Sequence, residues 1–284
     1  MYIDTRLILK KLEILFPDSQ EHPALGAEDD FGKGFEEMLE LWVIDGGPFW
    51  RTAGCIPPQA PLMQNPVWVK DRQDGSGGNF TVDSLRAGRS WCISQLRIFF
   101  GIMERMLSDG RKWLLSENNL PGLADLHGCW VYDWGVNMAT DMFSADDAET
   151  SDIRRALSNQ DFPHVHAWVT RFRDVCAQAQ ARNSGAKPLS EGSQAEDDIV
   201  RTILSSPFAE PQDLPFDEHD VLGLKHGQRV SIVPSDFGFT HADEGTLVSL
   251  STNEVTIQTS HDNEHHHLRL HYPRINFRIT TVST

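Results

Sequence analysis

Histidine is the side chain whose type and spacing first invite a chemical reading. The stretch HDNEHHHLRLHYP, residues 261–273, holds five of the chain's twelve histidines. On an extended strand His265, His267, Arg269 and His271 point to one face, and His266, Leu268, Leu270 and Tyr272 to the other, because strand side chains alternate. His265 and His267 form an HxH pair that can reach one metal ion. A zinc site would then need further ligands in tetrahedral array with supporting partners. His241, His261 and Asp262 could supply one, but nothing in the spacing demands it. The bland alternative is a polar hairpin turn, SHDNEHH, with solvated histidines along a strand edge. That is the expectation here, and no metal is expected. Crowded imidazoles would also repel one another once protonated near their ordinary pKa of ~6.5.

Other chemistries leave fainter traces. GxGxxG, Walker A, HExxH, GxSxG and CxxC patterns are all absent from the sequence. DGSGGNF, 74–80, is Gly-rich but follows no apolar strand, so it reads as a flexible loop. Cys55 lies between Gly54 and Ile56 in a loop and is expected to be accessible, whereas Cys129 and Cys176 fall in helical stretches and are expected to be buried. Trp130 and Trp134 share a helix face and could line an aromatic pocket, although core packing is the commoner reason for that spacing.

These candidates must be held by elements that the pattern predicts. Apolar residues at helical period predict helices over 4–16, 29–46 (with Phe31, Phe35, Met38, Leu39 and Trp42 on one side), 84–110, the stretch LADLHGCWVYDWGVNMATDMF, 162–182 and 197–206. DGGPFW breaks the second helix, and 53–66 reads as an irregular Pro-rich connection. NSGAKPLSEGSQAEDD, 183–198, and PFAEPQDLPFDEH read as linkers. From about 219 the period switches to two, and QRVSIVP, EGTLVSLS, NEVTIQTS, HHLRLHYP and NFRITTV predict five short strands of a small barrel or open sheet. All eight tryptophans precede residue 169, which supports a domain boundary near 210–219.

Net charge is −16 with a pI of about 5.1, which disfavours nucleic acid and membrane surfaces as partners. There is no apolar run of membrane-spanning length, no signal-peptide h-region and no CxxC, so a reducing, cytoplasmic setting is expected.

WLLSENNLPGLADLHGCW, 113–130, resembles the glutathione transferase C-terminal domain, in which a loop enters a buried helix through a capping box followed by Ala-Asp. Asp125 matches that acid, and Gly122 stands at the cap position where the family usually has Ser or Thr. FPHVHAWVTRF, 162–172, resembles the family's late Trp-bearing helix, and 87–115 its long core helix. YIDTRLILKKLEILFP, 2–17, resembles the end of the thioredoxin-like N-terminal domain, where an acid followed by Ser or Thr opens the third helix and binds the glutamyl end of glutathione. Asp4 and Thr5 match those two positions. GLKHGQRVSIVPSDFG and HYPRINFRI resemble a β domain appended in fungal relatives. The resemblance implies an α+β multidomain chain. Its parts are a remnant of the thioredoxin-like domain (1–17), a helical glutathione-transferase-like bundle (18–182), a linker with a short helix (183–218) and a small β-barrel-like domain (219–284). In the family, the residue that activates the thiol and the cis-Pro loop lie earlier in the thioredoxin-like domain than anything present here. Glutathione chemistry is therefore expected to be impaired in the sequence as written.

The resemblance implies a protein that acts on or binds an electrophilic small molecule, in fungal detoxification or secondary metabolism. If active, it is a glutathione-dependent transferase or isomerase. Glutathione would be the co-substrate, Asp4 and Thr5 its ligands, and Trp42, Phe49, Trp50, Trp130 and Trp134 the pocket for the electrophile. The alternative is a non-enzymatic scaffold or binding protein. A homodimer is implied by the family. With most of the thioredoxin-like domain missing, exposed apolar faces on helices 4–16 and 84–107 are also expected.

Overall fold

The computed structural model describes the chain except for residues 21, 116–119, 144–149, 183–193, 211–212, 262–265 and 283–284, together with the side chains of 261 and 266. The described chain divides into two compact units. One comprises Leu15–Lys70 and Phe80–Gly185; the other comprises Met1–Ile14, Asp71–Asn79 and Ala186–Thr284.

The first unit is helical. α2 (Asp30–Ile44) starts where Asp29 accepts the Gly32 amide at 2.9 Å. It buries Gly32, Glu36, Leu39, Glu40 and Val43, while Phe31 and Met38 are 80% and 59% exposed. Leu39, Phe35 and Trp42 of the expected face do pack on the core, so only the edge of that face at Phe31 and Met38 turns to solvent. A local partner explains part of the turn, because Glu36 accepts the Ala27 amide at 2.9 Å. Gly47, at φ 107°, lets the chain reverse, and Pro48 then opens α3 (Pro48–Ala53). The expected irregular connection therefore holds more order: a 3₁₀ turn at Pro61–Gln64 and α4 (Pro66–Gly75) follow. α5 (Val82–Met106) is the long core helix, opened by a reciprocal Thr81–Ser84 capping box. α6 (Leu123–Thr140), α7 (Ser151–Ala156) and α8 (Pro163–Arg182) complete the unit. Glu104 of α5 caps α8 by accepting the His164 and Val165 amides at 3.0 and 2.9 Å.

The core of this unit is aromatic. Phe100 lies 5.1 Å from Tyr132 and 5.5 Å from Phe162, and Tyr132 lies 5.8 Å from Trp168. Close approach needs small residues on α6. A Cβ at Gly135 would sit 3.0 Å from the Phe100 ring. On α5, Trp91 and Ile98 are 54% and 55% exposed, so an apolar face is open to solvent as expected.

The second unit is built on an antiparallel sheet. Its strands are β1 (Arg229–Pro234), β2 (Asp243–Leu250), β3 (Glu254–His261), β4 (His266–Pro273) and β5 (Phe277–Thr281), in the order β4-β3-β2-β1-β5. All pairs are antiparallel, and β4 and β5 are the ends of the sheet. Of the small barrel or open sheet expected, it is the open sheet: β4 and β5 do not pair, and the barrel-like closure is not formed. A register shift between Leu247 and Ser249 breaks the alternation of β2 and turns Leu250 inward. Leu250 then joins Val230, Ile232, Leu247, Val255, Ile257, Tyr272 and Ile279 in one core.

Two other segments belong to this unit. Residues 1–3 run parallel to β4, with Ile3 N donating to His271 O at 2.8 Å and His271 N donating to Met1 O at 2.9 Å. They occupy part of an edge that would otherwise present unpaired amides. α1 (Thr5–Leu15) follows, with Leu7 buried and Ile8 and Leu12 about two-fifths exposed. α9 (Gln194–Ser205) contributes no buried residue. The Gly-rich stretch 74–80 is a seat and not the free loop expected. Phe237 stacks where a Gly75 Cβ would be 2.2 Å from its ring, and Gly238 N donates to Gly75 O at 2.7 Å. Asp74 meets His241 Nε2 at 2.5 Å.

Candidate functional site

In the helical unit, α3 and α6 bring four aromatic side chains together. Phe49 is the hub. Its ring centroid lies 4.8 Å from Trp50, 5.5 Å from Trp130 and 6.2 Å from Trp134. Pro48 and Gly47 fix the entry to α3 and so aim Phe49 and Trp50. On α6, Trp130 and Trp134 are four residues apart and share a face. Trp130 is 39% exposed and the other three are half-buried, so the cluster is a shelf open on one side. The fifth aromatic expected there stands apart. Trp42 packs edge-on against Phe99, 5.6 Å away, as part of the helical core. The shelf offers flat, largely apolar rings, three of them indoles, a surface suited to an apolar or aromatic small molecule. Two charged residues on the same helices have partners of their own: Arg51 lies over the Trp91 ring at 4.2 Å, and Asp133 is paired with Arg173.

The helix that presents Trp130 and Trp134 is anchored by Asp125, which is 0% exposed. Asp125 Oδ1 accepts from Leu114 N at 3.0 Å and from Trp168 Nε1 at 2.7 Å, and Oδ2 accepts from Gly122 N at 3.1 Å. Gly122 sits at φ −95°, ψ −176° and provides the cap without a side chain. Burial raises the Asp125 carboxyl above its ordinary value, and the bonds from Trp168, Leu114 and Gly122 oppose that rise without cancelling it.

In the sheet unit, Asp4 and Thr5 open α1. Asp4 adopts φ 71°, in the left-handed region where a residue other than glycine is strained, and its Oδ1 accepts the Arg6 amide at 2.9 Å. Thr5 is exposed at the first helical position. The first turn of a helix leaves amides that its own backbone does not satisfy, and Asp4 takes one of them. A ligand bearing both an ammonium and a carboxylate fits this pattern. The Asp4 carboxylate would meet the first, and the Thr5 hydroxyl and helix amides the second.

The histidine cluster divides. His265 lies outside the described residues, as do the side chains of His261 and His266. His267 is exposed as expected, whereas His271 is 1% exposed, contrary to a solvated edge. The reason is two acids that the local spacing conceals: Glu210 and Glu254 each bring a carboxylate oxygen to 2.7 Å from a ring nitrogen. Among the described residues no group of three or more His, Cys, Asp or Glu could hold a metal ion. Two cysteine expectations reverse. Cys55 is 0% exposed, because the Pro-rich connection folds inward around it, and Cys176 faces solvent. Burial pushes the Cys55 thiol well up, so it is not an activated nucleophile.

The described helices include none long and apolar enough to cross a membrane. A family model described as Domain of unknown function (DUF7962) matches residues 51–181, which contain the whole aromatic shelf except Phe49 and Trp50. Among curated proteins, none matches. The chain is similar in structure to a GST-like protein from Pseudomonas syringae solved by crystallography. The TM-score is 0.61 at 20% identity, covering 99% of this chain and 78% of that one. The fold is therefore glutathione-transferase-like.

Proposed function

We propose that this is a glutathione-transferase-like protein whose aromatic shelf receives an electrophilic, largely apolar small molecule, in detoxification or secondary metabolism. The observation that carries the reading is the shelf itself: Phe49, Trp50, Trp130 and Trp134 gather within 6.2 Å of one hub and stay partly open to solvent. By contrast Tyr132 and Trp168, deeper in the same unit, are sealed at 0% exposure. Asp4 and Thr5 are proposed to bind the glutamyl end of glutathione as co-substrate, a role supported by the strained Asp4 backbone and the open first turn of α1. No group that would activate the glutathione thiol is assigned.

Titration with an aryl halide, followed by tryptophan fluorescence, tests the shelf. Saturable quenching is expected, weakened about tenfold by Trp130→Ala, as for the loss of one aromatic wall. Quenching unchanged by that substitution sinks the shelf. Glutathione binding by calorimetry, lost in Asp4→Ala, separately tests the co-substrate. A second reading, a non-enzymatic binding protein, is supported by the exposed Phe31, Met38, Trp91 and Ile98. It is favoured if the aryl halide binds and glutathione does not.

A further inference from the structure

His271 sits where three segments of the sheet unit meet. Its backbone pairs with Met1 and Ile3, and its ring lies 4.5 Å from the Tyr2 ring. Nε2 is 2.7 Å from Glu210 Oε1, in the segment that follows α9. Nδ1 is 2.7 Å from Glu254 Oε1 on β3 and 3.1 Å from Thr256 Oγ1. Each acid has a second cation. Lys11 of α1 lies 3.1 Å from Glu254 Oε2, and Arg269 Nη1 lies 3.6 Å from Glu210 Oε2. Arg269 also stacks over Phe208 at 4.2 Å, and the Met1 ammonium donates to Arg269 O at 2.5 Å.

Counting protons narrows the possibilities. An ionised carboxylate only accepts, and a neutral imidazole has a single N–H. Two ring nitrogens, each 2.7 Å from a carboxylate oxygen, therefore need two protons among the three groups. The second proton lies either on the ring or on one acid. The surroundings favour the ring, since Lys11 and Arg269 both stabilise ionised carboxylates. Burial alone would raise both acids. For Glu210, a backbone hydrogen bond and the Arg269 charge oppose that rise independently of the ring. For Glu254, the bond and charge of Lys11 do so.

We propose that His271 is a doubly protonated latch, an imidazolium that pins the segment ending in Glu210 and the strand of residues 1–3 to β3 and β4, and that opens on the Glu210 side when the ring loses its Nε2 proton to solvent. The asymmetry follows from the partners. Glu254 keeps the Nδ1 proton and Lys11. Glu210 Oε2 makes no hydrogen bond, and Arg269 stands beyond hydrogen-bond reach of it. Deprotonation therefore sets Glu210 Oε1 against a ring lone pair and leaves that carboxylate with its backbone hydrogen bond and the more distant Arg269. The latch is a pH-responsive joint that loosens as pH rises.

Nitrogen-resolved imidazole spectra of the intact chain read the charge state directly. Both ring nitrogens of His271 carry hydrogen at neutral pH if the proposal holds. A single protonated nitrogen beside a protonated carboxyl overturns it. Hydrogen exchange of the peptide spanning 206–210, corrected for the intrinsic rate, reads the opening. Protection falls by about tenfold as the ring deprotonates, the lower range for a charge-assisted bond. Glu210→Gln flattens that dependence, because its amide can donate to a neutral Nε2 and accept from a protonated one. A Glu210→Gln profile identical to the wild type overturns the latch. Neither measurement alters the buried ring, so a folding defect at His271 does not confuse them.

Discussion

Each unit of this molecule takes acidic side chains wholly or partly out of water, and the two solve the problem in opposite ways. Asp125, in the helical unit, is surrounded by neutral donors: two backbone amides and one indole N–H. Its carboxyl is raised. Glu210 and Glu254, in the sheet unit, are surrounded by cationic groups, and their carboxyls are lowered. Neutral donors fix direction, because each N–H has one geometry, so Asp125 can align a loop and two helices. Cations supply charge that outlasts a change in geometry, but the arrangement depends on pH. The first is a structural staple and the second a joint.

The largest expected effect tests the staple. Asp125→Ala leaves the Leu114 amide, the Gly122 amide and the Trp168 indole N–H without an acceptor in a site closed to water. Urea unfolding monitored by tryptophan fluorescence is expected to show a loss of roughly 3–5 kcal/mol. All eight tryptophans lie in the helical unit, so this signal reports that unit alone. Asp125→Asn sharpens the result. Leu114 and Trp168 share Oδ1, which an asparagine keeps, and only the Gly122 amide faces a new donor. A loss of about 1–3 kcal/mol is expected, and equal losses in the two variants would show that charge matters here and direction does not.

A smaller effect concerns the seat of Phe237 in the sheet unit. Gly75→Ala places a methyl group 2.2 Å from the Phe237 ring, closer than packed atoms approach, so the ring must move. Overpacking of this kind costs about 1–3 kcal/mol. It should appear as faster exchange of the Gly238 amide, which donates to Gly75 O, with the tryptophan-monitored transition unchanged. A shift of that transition would mean that the seat supports both units.

How much of this was legible in the sequence differs between the two regions for a physical reason. The strands were readable nearly to their ends, since alternation is local: QRVSIVP and β1, or HHLRLHYP and β4, coincide to within a residue. So were α5 and α8, which carry long periodic patterns. The face of α2 was legible only in part: Phe35, Leu39 and Trp42 pack on the core, but Phe31 and Met38 do not, and Glu36, which finds the Ala27 amide across a loop, takes a buried place instead. Gly122 and Asp125 were legible because a capping box is written within four residues. Four of the five shelf aromatics were brought together, and Trp42 was not, because a helical period cannot tell a core ring from an open one. The staple's long arm, Trp168, reaches Asp125 over 43 residues, and His271 reaches Glu254 and Glu210 over 17 and 61, and no local pattern encodes such pairs.

The smallest effect is a difference of sign. A raised carboxyl binds its proton more tightly in the folded chain than in the unfolded one. Asp125 therefore costs stability as pH rises from its ordinary value of 3.8 through its raised folded value, and acidification removes that cost. Lowered carboxyls behave in reverse. Glu210 and Glu254 contribute stability above their ordinary value of 4.5, and that contribution is lost as pH falls through their lower folded values. On acidification, the sheet unit should therefore lose protection before the helical unit. Exchange at the Ile3 amide, which donates to His271 O, reports the first, and tryptophan fluorescence the second. The separation should narrow in Glu210→Gln, in which Glu254 alone still titrates beside His271. If instead tryptophan fluorescence changes first, the acids around His271 are not what sets the sheet unit's response to acid. The contrast between staple and joint would then rest on geometry alone.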